Sequence, residues 1–497
     1  MTRFLKSKLA VWSMAAFAFS LSACADGGEG SMSPSITAGV SGGGAGGVSG
    51  VSGAGGFGGA SGAAGMIGGG AGGAGGSPIG GAGGVGGVAG TAGAAGIGGA
   101  GGSPMVGDYI SLAVTPGAPL TDADSSEPAT PSPAGWKWYS IPNTFCRDGS
   151  GNGIYVRSTD SDKLLIYFEG GGACTTNGFC NFNPPNVDSV LTGDGQTVLG
   201  TALAVGPGRQ MPGAYNDGVL DGIFAESNTA NPYNGWNMVY IPYCTGDVHF
   251  GSNEAGMVPG LEMPQKFVGY KNTREFMSRV VPTFKDKVDR VVVTGASAGS
   301  FGAALNYSMV NDSFGGVRVD AVLDSGAPFE DAQWPACLQQ SWRNLWKLND
   351  SLPADCEECF AADGGGMIRL ADFLIDKHPM GNIAAISSVH DEVIRLFFTP
   401  GEDNCALIMT ADPFEITAGQ ILGGQLYPAE KYQTTLMSLR STYESTGRLS
   451  TYYFAGDIDT MHQHTFRARF YEPVVGGKSM AQFITDFLAG TMSQVGP

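Results

Sequence analysis

The sequence predicts an α/β domain: a mostly parallel central sheet flanked by helices, stapled by disulfides and preceded by a disordered glycine-rich stalk. Three observations carry that expectation. Two apolar runs end abruptly in glycine, Leu164-Leu165-Ile166-Tyr167-Phe168 before Gly170-Gly171-Gly172 and Val291-Val292-Val293 before Gly295-Ala296-Ser297-Ala298-Gly299. Such runs are the mark of buried strands feeding tight turns. Of nine cysteines, eight remain beyond Cys24 (Cys146, Cys174, Cys180, Cys244, Cys337, Cys356, Cys359 and Cys405), an even number that suits four disulfides in an oxidising compartment. Finally, 34 of the 64 residues from Gly39 to Gly102 are glycine, and no charged residue occurs between Glu29 and Asp108.

At the N-terminus, Arg3, Lys6 and Lys8 precede an apolar stretch from Leu9 to Phe19 that closes on Leu21-Ser22-Ala23-Cys24. This is the pattern of a lipoprotein signal peptide over residues 1–23, with Cys24 as the lipidated residue. The apolar stretch is too short to span a bilayer comfortably, so an acyl chain on Cys24 is the expected tie to a membrane. Ala25, rather than aspartate, favours the outer membrane by its resemblance to bacterial lipoprotein sorting signals. The expected location is that of an exported lipoprotein, at the outer membrane or cell surface.

Residues 24–107 are expected to be a disordered tether, because a glycine-dominated chain has almost no side-chain surface to offset the entropy of ordering its backbone. Glycine does not recur strictly at every third position, which excludes a collagen helix. A coil of about 80 such residues has a root-mean-square span of roughly 50 Å. Residues 108–135, with a proline-rich stretch from Thr115 to Pro133, are expected to be a linker. Residues 136–497 are then long enough for one large α/β domain.

Within that domain, Gly295-Ala296-Ser297-Ala298-Gly299 is the pattern that holds a serine nucleophile on a strained strand-to-helix turn, where side chains two residues either side would not fit. Ser297 would sit at a helix N-terminus, which favours developing negative charge. Ser300 to Val310 is expected to be the buried helix behind it. The competing reading is an ordinary glycine-bounded turn.

A serine nucleophile needs a base, and the chain has five histidines, His249, His378, His390, His462 and His464. In an α/β-hydrolase the acid and then the histidine follow the serine, with the histidine in a loop after a late strand. Thr451-Tyr452-Tyr453-Phe454 reads as that strand and the polar segment after it as the loop, which leaves His462 and His464; spacing does not separate them. For the acid, Asp391 stands out within an apolar segment, where an ionised group must be paired. Asp324, after the strand that follows the elbow, is its rival.

The glycine run after Glu169 reads as half of an oxyanion hole, with Gly172 and Ala173 supplying N–H donors and Ala298, directly after the nucleophile, a further one. No Lys-Ser or Lys-Thr follows the run, which argues against a nucleotide phosphate loop.

Together, Leu165 to Cys174, Ile241-Pro242-Tyr243-Cys244-Thr245-Gly246-Asp247-Val248-His249, the serine elbow, Asp391 and His464-Thr465-Phe466 resemble the pectin acetylesterase and Notum carboxylesterase family, over roughly Trp136 to Pro497. The resemblance implies Ser297 as nucleophile, His464 as general base, Asp391 as its orienting acid, and an oxyanion hole from Gly172, Ala173 and Ala298. Where relatives commonly carry tryptophan this chain has Ala173, which keeps a backbone donor and alters the wall of the acyl pocket. Asp247 and His249 flank the same site and read as structural hydrogen-bonding groups.

The expected activity is serine carboxylesterase chemistry, with O-acetyl groups on a polysaccharide as the substrate that the resemblance implies and longer acyl esters as the alternative. A non-catalytic stalked binding protein on the same scaffold is the competing class. No metal or cofactor is called for, and a monomer is expected. Without Arg3, Lys6 and Lys8, 24 of the 27 basic side chains face 45 acidic ones. That balance excludes a nucleic-acid face and disfavours dense polyanions.

Overall fold

The computed structural model describes residues 109–126, 135–180, 183–187, 222–326, 334–405, 426–456 and 461–497. The expectations for the signal peptide, Cys24 and the 24–107 tether lie outside the described residues.

In chain order the strands are β1 (Ser125–Ser126), β2 (Trp136–Phe145), β3 (Gly151–Arg157), β4 (Lys163–Phe168), β5 (Asn237–Ile241), β6 (Asn253–Gly256), β7 (Gln265–Phe267), β8 (Arg290–Ala296), β9 (Arg318–Asp324), β10 (Ile383–Ser388), β11 (Leu449–Phe454), β12 (Pro473–Val475), β13 (Lys478–Ser479) and β14 (Gln494–Val495). Ten of them form one sheet in the order β1-β2-β3-β5-β4-β8-β9-β10-β11-β14, while β6/β7 and β12/β13 pair separately. From β5 through β14 every pairing is parallel; β1, β2 and β3 extend the sheet antiparallel. The mostly parallel α/β architecture is therefore the one the sequence predicts.

The parallel strands are buried on both faces, which is why they read as unbroken apolar runs rather than alternating ones. Leu164, Ile166 and Phe168 of β4 join Val291 and Val293 of β8 and Leu323 of β9 in one core, under helices that include Gly269–Phe284 and Tyr307–Phe314. Leu165 and Tyr167 face the opposite side, with Val292, Val322, Tyr452 and Phe454, against Phe483, Ile484 and Phe487 of the helix Met480–Leu488.

All eight domain cysteines are paired: Cys146–Cys244, Cys174–Cys180, Cys337–Cys405 and Cys356–Cys359. The four disulfides agree with the even count. Two expectations need correction. The helix foreseen from Ser300 to Val310 is two helices, Ala298–Leu305 and Tyr307–Phe314, broken at Asn306, whose side-chain amide donates to the carbonyls of His249 and Gly302. The linker foreseen over 108–135 is, from 109 to 126, a strap bound to the domain. Ile110, Leu112, Val114 and Leu120 donate their N–H groups to Asp355, Asp312, Ser313 and Thr283, Lys377 donates to the Ile110 carbonyl, and β1 pairs with β2. Proline content conceals this, because the bonds are made by non-proline backbone groups that composition does not distinguish.

Candidate active site

Five neighbouring strands, β4, β8, β9, β10 and β11, present the candidate residues at or beyond their carboxyl ends, the edge at which open α/β sheets bind ligands. β8 ends at Ala296 and the helix Ala298–Leu305 begins at once, so Ser297 alone makes the turn, with φ 58° and ψ −126°. A non-glycine residue in that region is strained, and such strain persists only where the surroundings enforce it. The enforcement here is backbone against backbone. A Cβ on Gly295 would come within 2.3 Å of the Gly299 carbonyl oxygen, and one on Gly299 within 2.0 Å of the Phe168 oxygen. The elbow is therefore pressed against the end of β4, and Ser297 N–H donates to the Asp324 carbonyl at 2.9 Å.

After β10, Asp391 caps the helix Glu392–Phe398: its Oδ1 accepts from the N–H groups of Val393 and Ile394 at 3.0 and 2.9 Å. Its Oδ2 accepts from His462 Nδ1 at 2.8 Å, and both side chains are buried. Because a carboxylate accepts, the His462 proton sits on Nδ1 and the lone pair on Nε2. That Nε2 is buried and has no hydrogen-bond partner among the described residues.

The expectation for His464 is corrected by the same geometry. His464 Nε2 lies 3.2 Å from Ser388 Oγ, and its ring stacks on Phe454 with centroids 4.1 Å apart. Burial pushes its pKa down to about 4, Asp324 and Asp391 opposing that shift. The imidazole paired with Asp391 is that of His462. Asp324, the rival acid, pairs with neither imidazole. Its Oδ2 accepts from the N–H groups of His464 and Thr465 and from the Thr465 hydroxyl at 2.7 to 2.8 Å, and its Oδ1 from Ser325 Oγ. Asp324 thus fixes the loop that carries His462. Between the two histidines Gln463 has φ 62°, and its N–H donates to Ser325 Oγ.

Beyond β4, Gly170, Gly171 and Gly172 wrap the elbow. A Cβ on Gly170 would lie 2.4 Å from the Ala296 oxygen and 3.1 Å from Ser297 Cβ, and Gly171 and Gly172 hold φ of 152° and 73°. The N–H groups of Gly172, Ala173 and Ala298 meet no acceptor among the described residues. Behind this loop His249, with its pKa lowered to about 4 by burial, donates from Nε2 to the Glu169 carbonyl at 2.8 Å. Asp247, raised to about 6 by burial, accepts from Thr245 Oγ1 and from Gly269 N–H at the start of the helix Gly269–Phe284. Both are held in buried hydrogen bonds. Among the described residues no cluster of three or more His, Cys, Asp or Glu could hold a metal ion.

The chain matches the family described as pectinacetylesterase over residues 139–364. It is 28% identical over 246 residues, 45% of each chain, to palmitoleoyl-protein carboxylesterase notum2 of Xenopus laevis. To palmitoleoyl-protein carboxylesterase NOTUM of Homo sapiens it is 27% identical over 198 residues, 38% of this chain and 35% of that one. The alignments span less than half the length of these curated relatives. The solved structure of the Wnt deacylase Notum from Drosophila is 19% identical, with a TM-score of 0.47, and the match covers 72% of this chain and 95% of that one. The residues that match that family, 139–364, carry both the glycine loop and the serine elbow, and over them the chain is similar to the pectinacetylesterases.

Proposed function

We propose that the protein is a serine carboxylesterase in which Ser297 attacks the ester carbonyl, His462 accepts the serine proton and Asp391 holds the imidazole. The observation that carries this reading is the buried Asp391–His462 bond, which leaves His462 Nε2 without a partner among the described residues, together with the strained turn at Ser297. The acyl-enzyme forms as the alcohol leaves with the proton from His462; water then attacks with His462 again as base. The N–H groups of Gly172, Ala173 and Ala298 receive the oxyanion.

O-acetyl groups on a carbohydrate are the substrate class that the family resemblance implies. The acidic chain disfavours a polyanionic product. Lipidation at Cys24 would hold the enzyme on the outer membrane or cell surface, acting as a monomer. Among the described residues no helix is long and apolar enough to cross a membrane.

A fluorophosphonate probe tests the reading together with a panel of acetyl to palmitoyl nitrophenyl esters and acetylated xylan. Labelling at Ser297 with hydrolysis falling as the acyl chain lengthens is expected. Absence of both labelling and hydrolysis would leave a binding protein on a hydrolase scaffold.

A further inference from the structure

The oxyanion donors sit on the most pliable backbone in the site. Gly171 and Gly172 occupy φ values that favour glycine, and with no side chains to anchor it the peptide joining them has little intrinsic preference between facing the nucleophile and facing away. Something outside the loop must choose. The Gly171 carbonyl accepts from Asn183 Nδ2 at 3.3 Å. In a trans peptide the carbonyl of one residue and the N–H of the next point in opposite directions. Tying the Gly171 oxygen to Asn183 therefore aims the Gly172 N–H the other way.

Asn183 is itself fixed. It is fully buried, and Arg147 grips it twice, from Nε to Oδ1 at 3.3 Å and from Nη2 to the backbone carbonyl at 2.7 Å. Because a guanidinium only donates, the side-chain atom facing it must be the oxygen, which leaves the amide nitrogen for Gly171. Arg147 is held in turn by Gln265 Oε1 at 2.7 Å, by the Cys180 carbonyl, and by its own N–H to the Cys244 carbonyl next to the Cys146–Cys244 disulfide. There is no slack around the pair: a Cβ on Gly246 would come within 2.9 Å of Asn183 Oδ1.

We infer that Asn183, clamped by Arg147, is the positioning residue that sets the Gly171–Gly172 peptide and so aims one oxyanion donor. This rests on the esterase reading above. Losing an oxyanion donor costs about 10²- to 10³-fold in kcat, and a donor that is misaimed part of the time costs less.

The test uses the purified full chain with nitrophenyl acetate, and a trifluoromethyl ketone as oxyanion-forming inhibitor. Asn183→Asp keeps the size and the Arg147 contacts but cannot donate to the Gly171 oxygen. It is expected to lower kcat by about 10- to 100-fold with KM within about threefold, and to weaken the ketone by the same factor as kcat/KM. Asn183→Ala should show the same losses with a lower melting temperature. A merely structural role predicts that Asn183→Asp, which retains the clamp, stays active; wild-type kcat and ketone affinity in that variant would overturn the inference. A wild-type protein inert to every ester and to the serine probe would instead sink the esterase reading.

Discussion

Asp391 Oδ2 and His462 Nδ1 lie 2.8 Å apart inside the protein, and that one bond fixes both the tautomer and the direction of the imidazole. Two residues on, His464 turns to Ser388 and Phe454 instead. Replacing His462 with alanine is therefore expected to lower kcat/KM by at least about 10³-fold, since removing the base of a triad costs as much as removing the nucleophile. His464→Gln should retain most activity and lose stability through the lost stacking. Steady-state hydrolysis and melting temperature measured on both variants decide the matter, and an inactive His464→Gln beside an active His462→Ala would reverse the assignment.

The two acids should separate in the same way, by different observables. Asn at position 391 keeps an oxygen for the N–H groups of Val393 and Ile394, so the helix cap survives, but it no longer favours the catalytic tautomer. Asp391→Asn is expected to cost about 10⁴-fold in kcat, the loss associated with a wrong tautomer, with little change in melting temperature. Asp324 accepts three hydrogen bonds from the His464–Thr465 segment through one oxygen. Asp324→Asn should therefore destabilise first, by about 2 kcal/mol or more for a buried network left mismatched. Thermal unfolding and kcat taken together distinguish them; equal losses of both quantities in both variants would contradict these roles.

The elbow could be read from sequence because its constraint is local. A Cβ on Gly295 or Gly299 would come within 2.0 to 2.3 Å of backbone oxygens, so this turn as it is packed here calls for glycine at both positions. Which histidine pairs with Asp391 could not be read. In a regular strand, residues two apart face the same way, but Gln463 at φ 62° breaks that alternation and sends His462 and His464 to different partners. The partners that hold this loop, Asp324 and Ser325, are 138 to 141 residues away in sequence. Asn183 and Arg147 were invisible for the same reason: their effect on the glycine loop passes through hydrogen bonds that no local pattern records.

The strap gives a prediction about where the folded domain begins. Val114 is buried, the Leu112 N–H and Lys377 Nζ both reach Asp312, and Arg279 donates to the Ala118 carbonyl. A chain starting at residue 109 is expected to melt like the full-length protein. One starting at 127 leaves the buried Asp312–Lys377 pair without its backbone partners and should lose several degrees, because removing partners from buried charged groups costs about 1–3 kcal/mol each. Equal melting temperatures for the two truncations would show that residues 109–126 add nothing to the domain.

Acid should destabilise the fold ahead of ordinary carboxylate titration. His249 and His464 are buried, and burial pushes both pKa values down to about 4 from an ordinary value near 6.5; His378 is shifted in the same direction by burial. Between those limits the unfolded chain binds protons at these sites and the folded chain does not, so stability rises with pH across the window and is lost as pH falls from 6.5 towards 4. Asp247 works the other way. Its carboxyl, raised to about 6 by burial, takes up a proton in the fold before it would in the unfolded chain, so its contribution is present at low pH and lost as pH rises through 6. Three histidines against one carboxylate leave a net loss on acidification. At about 1.4 kcal/mol per pKa unit the histidine terms are each of the order of a few kcal/mol. The melting temperature is expected to drop clearly from pH 7 to pH 4.5, with a shallower drop in His464→Phe and a steeper one in Asp247→Asn. A melting temperature flat across that range would mean that these imidazoles titrate alike in the folded and unfolded chains.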